Sequence, residues 1–173
     1  MVQFRLAAPL QFMADLYELL AELQIPYVEH QHPAFFSIGD ADAYLVEHPI
    51  PGASAKSLFL RNNKGDQHYM VVIAGEKRLD VKALETSLGE TKMSFASPDR
   101  MMKYLGITPG SVSPFALIND LEKHVKVILD ADVFAEEQVQ FHPLINTATL
   151  VLAPNDVKKF IEATGHHWQE IKL

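Results

Sequence analysis

Cysteine is absent from the 173-residue chain, which removes disulfides, thiolate-bound zinc, iron–sulfur clusters and thiol nucleophiles together. No apolar run approaches the roughly 20 residues that a membrane-spanning helix needs, and Met1-Val2-Gln3-Phe4-Arg5 lacks the apolar core of a secretory signal. A soluble, cytoplasmic protein without membrane association is therefore expected. Positive charge is scarce: 15 Lys and Arg stand against 22 Asp and Glu, a formal net charge of -7 that excludes a generally basic nucleic-acid coat protein. The Gly-x-x-x-x-Gly-Lys-Ser/Thr phosphate loop, the Gly-x-Gly-x-x-Gly dinucleotide turn and the His-Glu-x-x-His zinc helix are all missing. Ser111 has no Gly two positions beyond it, so it does not sit on a nucleophile elbow.

What is present suffices for one core: 48% of residues are hydrophobic, and no linker or repeat interrupts residues 1–173, so a single domain is expected. Apolar residues recur at three- and four-residue steps from Leu10 to Leu23, the stripe of an amphipathic helix that Pro26 ends. Ser37 with Asp40 has the form of a capping box for a helix over Ile38 to Val46. Ser57 to Leu60 and His68 to Ile73, separated by Asn62-Asn63-Lys64-Gly65-Asp66, carry a hairpin signal. Asp80 and Ser97-Pro98 open further helices, and Gly106 ends the second. Strands are expected at residues 126–129, 139–142 and 147–152, and Asn155 or Asp156 is expected to cap a last helix that Gly165 terminates. Strands outnumber crossover helices. The expected class is therefore α/β of the mixed α+β kind, with a partly closed mixed sheet and flanking helices, and flavodoxin-like layering as the alternative.

Charge is uneven: residues 1–55 net -6, residues 56–103 net +3 and the remainder -4. The positive stretch is either an ordinary mixed surface or a phosphate-facing patch. His30 and His32 share a strand face but have no third ligand placed beside them, and His166-His167 follows the last helix, where it would meet the C-terminal carbonyls. No metal site is expected.

Three segments are harder to explain by folding alone. Lys56 stands at the mouth of the very apolar Ser57-Leu58-Phe59-Leu60. Two Gly and two Pro fix an irregular loop over residues 106–114, of a kind that can aim successive amides at one oxyanion. Phe141-His142-Pro143-Leu144-Ile145-Asn146-Thr147-Ala148-Thr149 gathers imidazole, amide and hydroxyl groups that need partners or a ligand.

Lys56-x-Leu58-Phe59-Leu60, Gly106-x-x-Pro109-Gly110-x-x-x-Pro114-Phe115 and His142-Pro143-x-x-Asn146-x-Ala148-Thr149, in this order, resemble the YbaK/ProX-type prolyl-tRNA editing family. The likeness is to its free-standing deacylases of alanyl-tRNA(Pro), and it extends from about Leu10 to His166. The resemblance implies a curled, mostly antiparallel, barrel-like mixed sheet with flanking helices and an active site at its opening. It implies that Lys56 contacts the 3′-terminal part of the tRNA, that the loop from Gly110 through Ser111, Val112 and Ser113 to Pro114 offers amides to the ester carbonyl, and that His142 lies at the same site. Asn146 and Thr147 would line the pocket, as would Phe36 and Ser37. Phe35, Phe36 and Ile38 are candidate walls that admit alanine and exclude proline, with Phe36 equally readable as plain core. No cofactor is implied. The implied partner is the acceptor end of a mischarged tRNA, with prolyl-tRNA synthetase as a further candidate. Ser57 departs from the family, which often has Asn after the Lys, as do Gly39-Asp40 from the acidic residues common there.

Overall fold

The computed structural model describes residues 8–34 and 38–173. In chain order these form α1 (Ala8–Glu22), β1 (Val28–Gln31), α2 (Ile38–Glu47), β2 (Ala53–Arg61), β3 (His68–Ala74), α3 (Val81–Leu88), β4 (Ser94–Phe95) and α4 (Pro98–Leu105). A 3-10 turn (Pro114–Asn119), β5 (Val125–Asp130), α5 (Ala131–Phe134), β6 (Val139–Phe141), β7 (Ala148–Leu152), α6 (Pro154–Ala163) and β8 (Trp168–Ile171) follow. The expected helices and hairpin are present. The Asn62 side chain shapes the hairpin turn, accepting from the Gly65 amide at 2.9 Å and donating to Asp66 at 2.8 Å, with Gly65 at φ +72. Asp80 caps α3 through the amides of Lys82 and Ala83, and Ser97 caps α4. The last helix starts earlier than expected: Pro154 occupies its first turn and Ala153 stands at the cap with no side-chain bond, because proline's fixed φ sets the first turn without one. The proposed Ser37 box lies outside the described residues.

The strands make one mixed sheet in the order β1-β7-β6-β2-β3-β5-β8, with β4 on the side of β2. Four pairings are antiparallel and three, β2 with β6, β3 with β5 and β5 with β8, are parallel. Strand β3 is buried from His68 to Ile73 because both its faces are covered. Met70 and Val72 join Phe59, Phe115, Phe141, Leu150 and Phe160 in the main core, whereas Tyr69, Val71 and Ile73 pack with Leu60 and Leu84 of α3 on the other. This period-two division, carried across the β2–β3 pairing, fixes where β2 points its side chains.

A polar chain runs through one end of the sheet. Arg100 donates to Nε2 of His68 at 2.9 Å, and because a guanidinium can only donate, His68 carries its proton on Nδ1 and gives it to His124 Nε2 at 2.8 Å. Burial, reinforced by His124, Arg100 and neighbouring cations, pushes the His68 pKa from 6.5 down to about 4. The unfolded chain therefore binds a proton that the folded chain refuses between those values. The resulting contribution is fully present above about pH 6.5 and is lost as pH falls toward 4. Melting curves across that window should show the midpoint falling with acidification, with the His68 imidazole resonance titrating near its lower limit. A midpoint that stays flat down to pH 4 removes the argument.

Candidate active site

Strand β2 serves two neighbours in succession. Ala53 and Ser54 pair with Val139 and Gln140 of β6, but from Ala55 onward β2 pairs with β3, and at its end with β4. Continuing the parallel register would have set Ala55 opposite Phe141 and Lys56 opposite His142. The strands separate instead, and a cavity of about 370 Å³ occupies the opening. Its lining is His32, Leu45, Ile50, Ser54, Ala55, Lys56, Ser57, Gly110, Val112, Gln140, Phe141, His142 and Thr149. The Gln140 amide group donates to the carbonyls of Ile50, Pro51 and Gly52 at 2.8–3.1 Å, which holds the segment after α2 over one rim.

The Lys56 ammonium donates to the Gly75 carbonyl at 2.9 Å. Gly75 is a close approach: a Cβ there would lie 2.7 Å from Ser54 Oγ, so only glycine brings that carbonyl against β2 without displacement. Gly110, also in the lining, turns the loop at φ +89. The Ser111 amide is committed to Thr108 O at 3.2 Å, and Pro114 has no N–H. Among the described residues the amides of Gly110, Val112 and Ser113 have no acceptor, and of these three residues Gly110 and Val112 line the cavity. The donors that an oxyanion could use thus narrow to a few in a five-residue loop.

His142 donates from Nδ1 to the Ala148 carbonyl at 2.8 Å, which leaves a lone pair on Nε2. Burial lowers its pKa; the Ala148 bond opposes that shift and His32 adds to it, so the ring is neutral at pH 7. The loop that carries it holds Leu144 at φ +66, a left-handed conformation for a branched side chain, kept there by burial of the leucine. His32 lies 5.8 Å from His142 between ring centroids.

Lys56, Gly110, Val112 and His142 of the expected set therefore share one cavity. Ser111, Ser113, Pro114, Asn146 and Thr147 are not in its lining. Ser113 is buried, its hydroxyl accepting from the Phe115 amide at the start of the 3-10 turn that Pro114 opens, and the Thr147 carbonyl accepts from the His32 amide at 3.0 Å. Phe35, Phe36 and Ser37 lie outside the described residues, and the apolar wall that can be described consists of Leu45, Ile50, Ala55, Val112 and Phe141. Of the polar lining residues, His32, Ser54, Ser57, Gln140 and Thr149 are additions to the expected set. The expected strand pair His30/His32 contained the signal, but only the β1–β7 register, with His30 opposite Thr149, brings it to His142. His166, expected at the carbonyls of the last helix, reaches Ile161 O with its backbone amide only. Its buried imidazole bonds Asp120 at 3.0 Å and Thr164 at 2.9 Å. The positive stretch is divided too: Lys77 is held by Asp130 and Asp132, separately from Lys56. No helix among the described residues is long and apolar enough to cross a membrane.

A sequence model of the aminoacyl-tRNA editing domain matches residues 32–160. Prolyl-tRNA editing protein ProX of Acetoanaerobium sticklandii is 39% identical over 154 residues, covering 89% of this chain and 93% of its own. Prolyl-tRNA synthetase associated domain-containing protein 1 of Mus musculus is 31% identical over 161 residues, covering 90% and 93%. Among solved structures, one described as a candidate trans-editing enzyme for prolyl-tRNA synthetase superposes with a TM-score of 0.67 at 21% identity, over 94% of this chain and 97% of that one, a likeness of fold. The matched span takes in β2, the 106–114 loop and the His142 loop, and the chain belongs to the aminoacyl-tRNA editing domain family.

Proposed function

We propose that the chain is an aminoacyl-tRNA deacylase acting in trans, which removes alanine mischarged on proline tRNA. The observation that supports this reading is that Lys56, His142, and Gly110 and Val112, whose amides have no acceptor among the described residues, all line the cavity between β2 and β6. An aminoacyl ester is already activated, so its hydrolysis needs a placed water and a stabilised oxyanion rather than a protein nucleophile. Water adds to the ester carbonyl carbon, and the amides of Gly110 and Val112 receive the developing negative charge. The bond to the ribose 3′ oxygen then breaks, releasing the amino acid and a free 3′ hydroxyl. The water's proton passes toward the leaving oxygen, with the neighbouring 2′ hydroxyl and Nε2 of His142 orienting the water. Lys56 exchanges its Gly75 carbonyl for the terminal phosphate or ribose. Alanine selection is a matter of size, because one methylene changes binding by only about 1–3 kcal/mol and a proline-activating synthetase needs a second, smaller sieve.

A seryl ester is a second reading, favoured by one observation. The Ser57 hydroxyl, at the cavity and buried, has no hydrogen-bond partner among the described residues, and a serine side chain would supply one. Incubation with alanyl-, seryl-, cysteinyl- and prolyl-tRNA(Pro) tests both. The alanyl ester should be cleaved fastest and the prolyl ester spared. Preference for the seryl ester that disappears in Ser57→Ala would favour the second reading. Release from none would leave a silent binding module.

A further inference from the structure

The two imidazoles beside the cavity are wired alike but end differently. Nδ1 of His32 faces the Pro33 carbonyl at 2.9 Å and Nδ1 of His142 faces the Ala148 carbonyl at 2.8 Å. A carbonyl can only accept, so each ring carries its proton on Nδ1 and a lone pair on Nε2. The His32 lone pair is taken by the Thr149 hydroxyl at 3.0 Å, with both side chains buried. Nε2 of His142 has no such protein partner among the described residues.

The same molecule shows what two imidazoles do when nothing intervenes. His68 and His124, with centroids 5.0 Å apart and rings inclined by 49°, are joined by a 2.8 Å hydrogen bond. His32 and His142 stand 5.8 Å apart and inclined by 57°, close to that arrangement but without the bond. We infer that the Thr149 hydroxyl is a positioning group: by occupying Nε2 of His32 it keeps Nε2 of His142 available to the cavity rather than drawn into an imidazole–imidazole hydrogen bond. The inference rests on reading this cavity as the deacylation site.

The chemistry follows from proton count. A bond between the two Nε2 atoms needs a proton on one of them, and that proton would come from solvent and leave the pair sharing a positive charge. With the His32 lone pair left without a donor, a proton shared between the rings would satisfy both acceptors against the opposing cost of burying its charge, and His142 would lose its role as acceptor. Among the described residues the other ionisable or charged groups around the rings are Lys56 on β2, which disfavours added positive charge, and His30 on β1, with Tyr44 and His48 on the α2 side of His32. The 106–114 loop presents Gly110 and Val112, which are uncharged.

The test compares the pH dependence of deacylation and the 15N shifts of His142 in the wild type, Thr149→Val, Thr149→Ser and the double variant Thr149→Val/His32→Phe. Thr149→Val should move the acid limb to higher pH, lower the rate at pH 6 by about tenfold per unit moved and recover toward pH 8. Thr149→Ser, which keeps the hydroxyl, should put the limb back, and removing the competing imidazole in the double variant should do the same. A loss in Thr149→Val that is equal at all pH values, or that His32→Phe deepens, would overturn the inference; Thr149→Ala replaces Thr149→Val if the latter does not fold. The two readings fail separately. A wild type that cleaves no ester refutes the deacylase, while the His142 15N titration still reports whether Thr149 governs its protonation.

Discussion

Lys56→Ala is expected to slow deacylation of alanyl-tRNA(Pro) by at least about a hundredfold while leaving the protein folded. Truncating one partner of a desolvated charged contact costs about 2–5 kcal/mol, and 2.7 kcal/mol is two orders of magnitude in rate. The structural cost is far smaller. Among the described residues the ammonium donates to one neutral acceptor, Gly75 O, a bond worth about 1 kcal/mol net, and the backbone pairing of Lys56 with Ile73 survives the substitution. Lys56→Met is the sharper variant because it retains an unbranched apolar stem and removes the charge. Single-turnover rates measured beside thermal melts would separate the two effects. Turnover near the wild-type rate in Lys56→Met, with an unchanged melt, would remove Lys56 from the chemistry.

The sequence makes some of this site plain and hides the rest for identifiable reasons. Signals confined to a few neighbouring residues survive intact: the Asn62 turn, the Asp80 cap and the Ser97-Pro98 helix start all form as their chemistry requires. Strand β8 and the two-residue β4 carry too little periodicity to be seen, since Trp168–Ile171 and Ser94–Phe95 are mostly exposed and gain their order from β5 and β2. The residues of the site are legible as segments, but their meeting point is not. It exists because β2 changes partner after Ser54, and nothing local to Ala53-Ser54-Ala55 announces that change. His32 illustrates the same limit: a histidine just beyond a short strand, two residues from another, reads as unremarkable until the β1–β7 register sets His30 opposite Thr149 and the His32 ring meets the Thr149 hydroxyl. The loop shows the converse. Its glycines and prolines predict rigidity, but which amides remain available depends on the Thr108–Ser111 bond, a detail of turn geometry rather than composition.

His142→Ala should lower the rate at pH 7 by roughly a hundredfold, the lower end of what a placed acid–base group contributes, and should also change the shape of the pH profile. In the wild type the competent form is the neutral ring. Burial first, and the nearby His32 second, lower its proton affinity below the ordinary 6.5, against the opposing Ala148 hydrogen bond. Activity should therefore persist at pH 6.5, where an ordinary imidazole is half protonated, and decline only at more acidic pH. His142→Ala should lack that decline, leaving a flat residual rate supported by the Gly110 and Val112 amides and the substrate's own 2′ hydroxyl. Measurement well below the melting temperature matters, because a buried neutral histidine also ties stability to pH with the same sign, falling on acidification. A tRNA ending in 2′-deoxyadenosine supplies the decisive comparison. If ring and hydroxyl orient the same water, the loss from removing both will be smaller than the product of the separate losses, since once one is gone the other has little left to position. Fully multiplicative losses would place His142 on a different part of the substrate, and an acid limb retained in His142→Ala would assign the titrating group elsewhere.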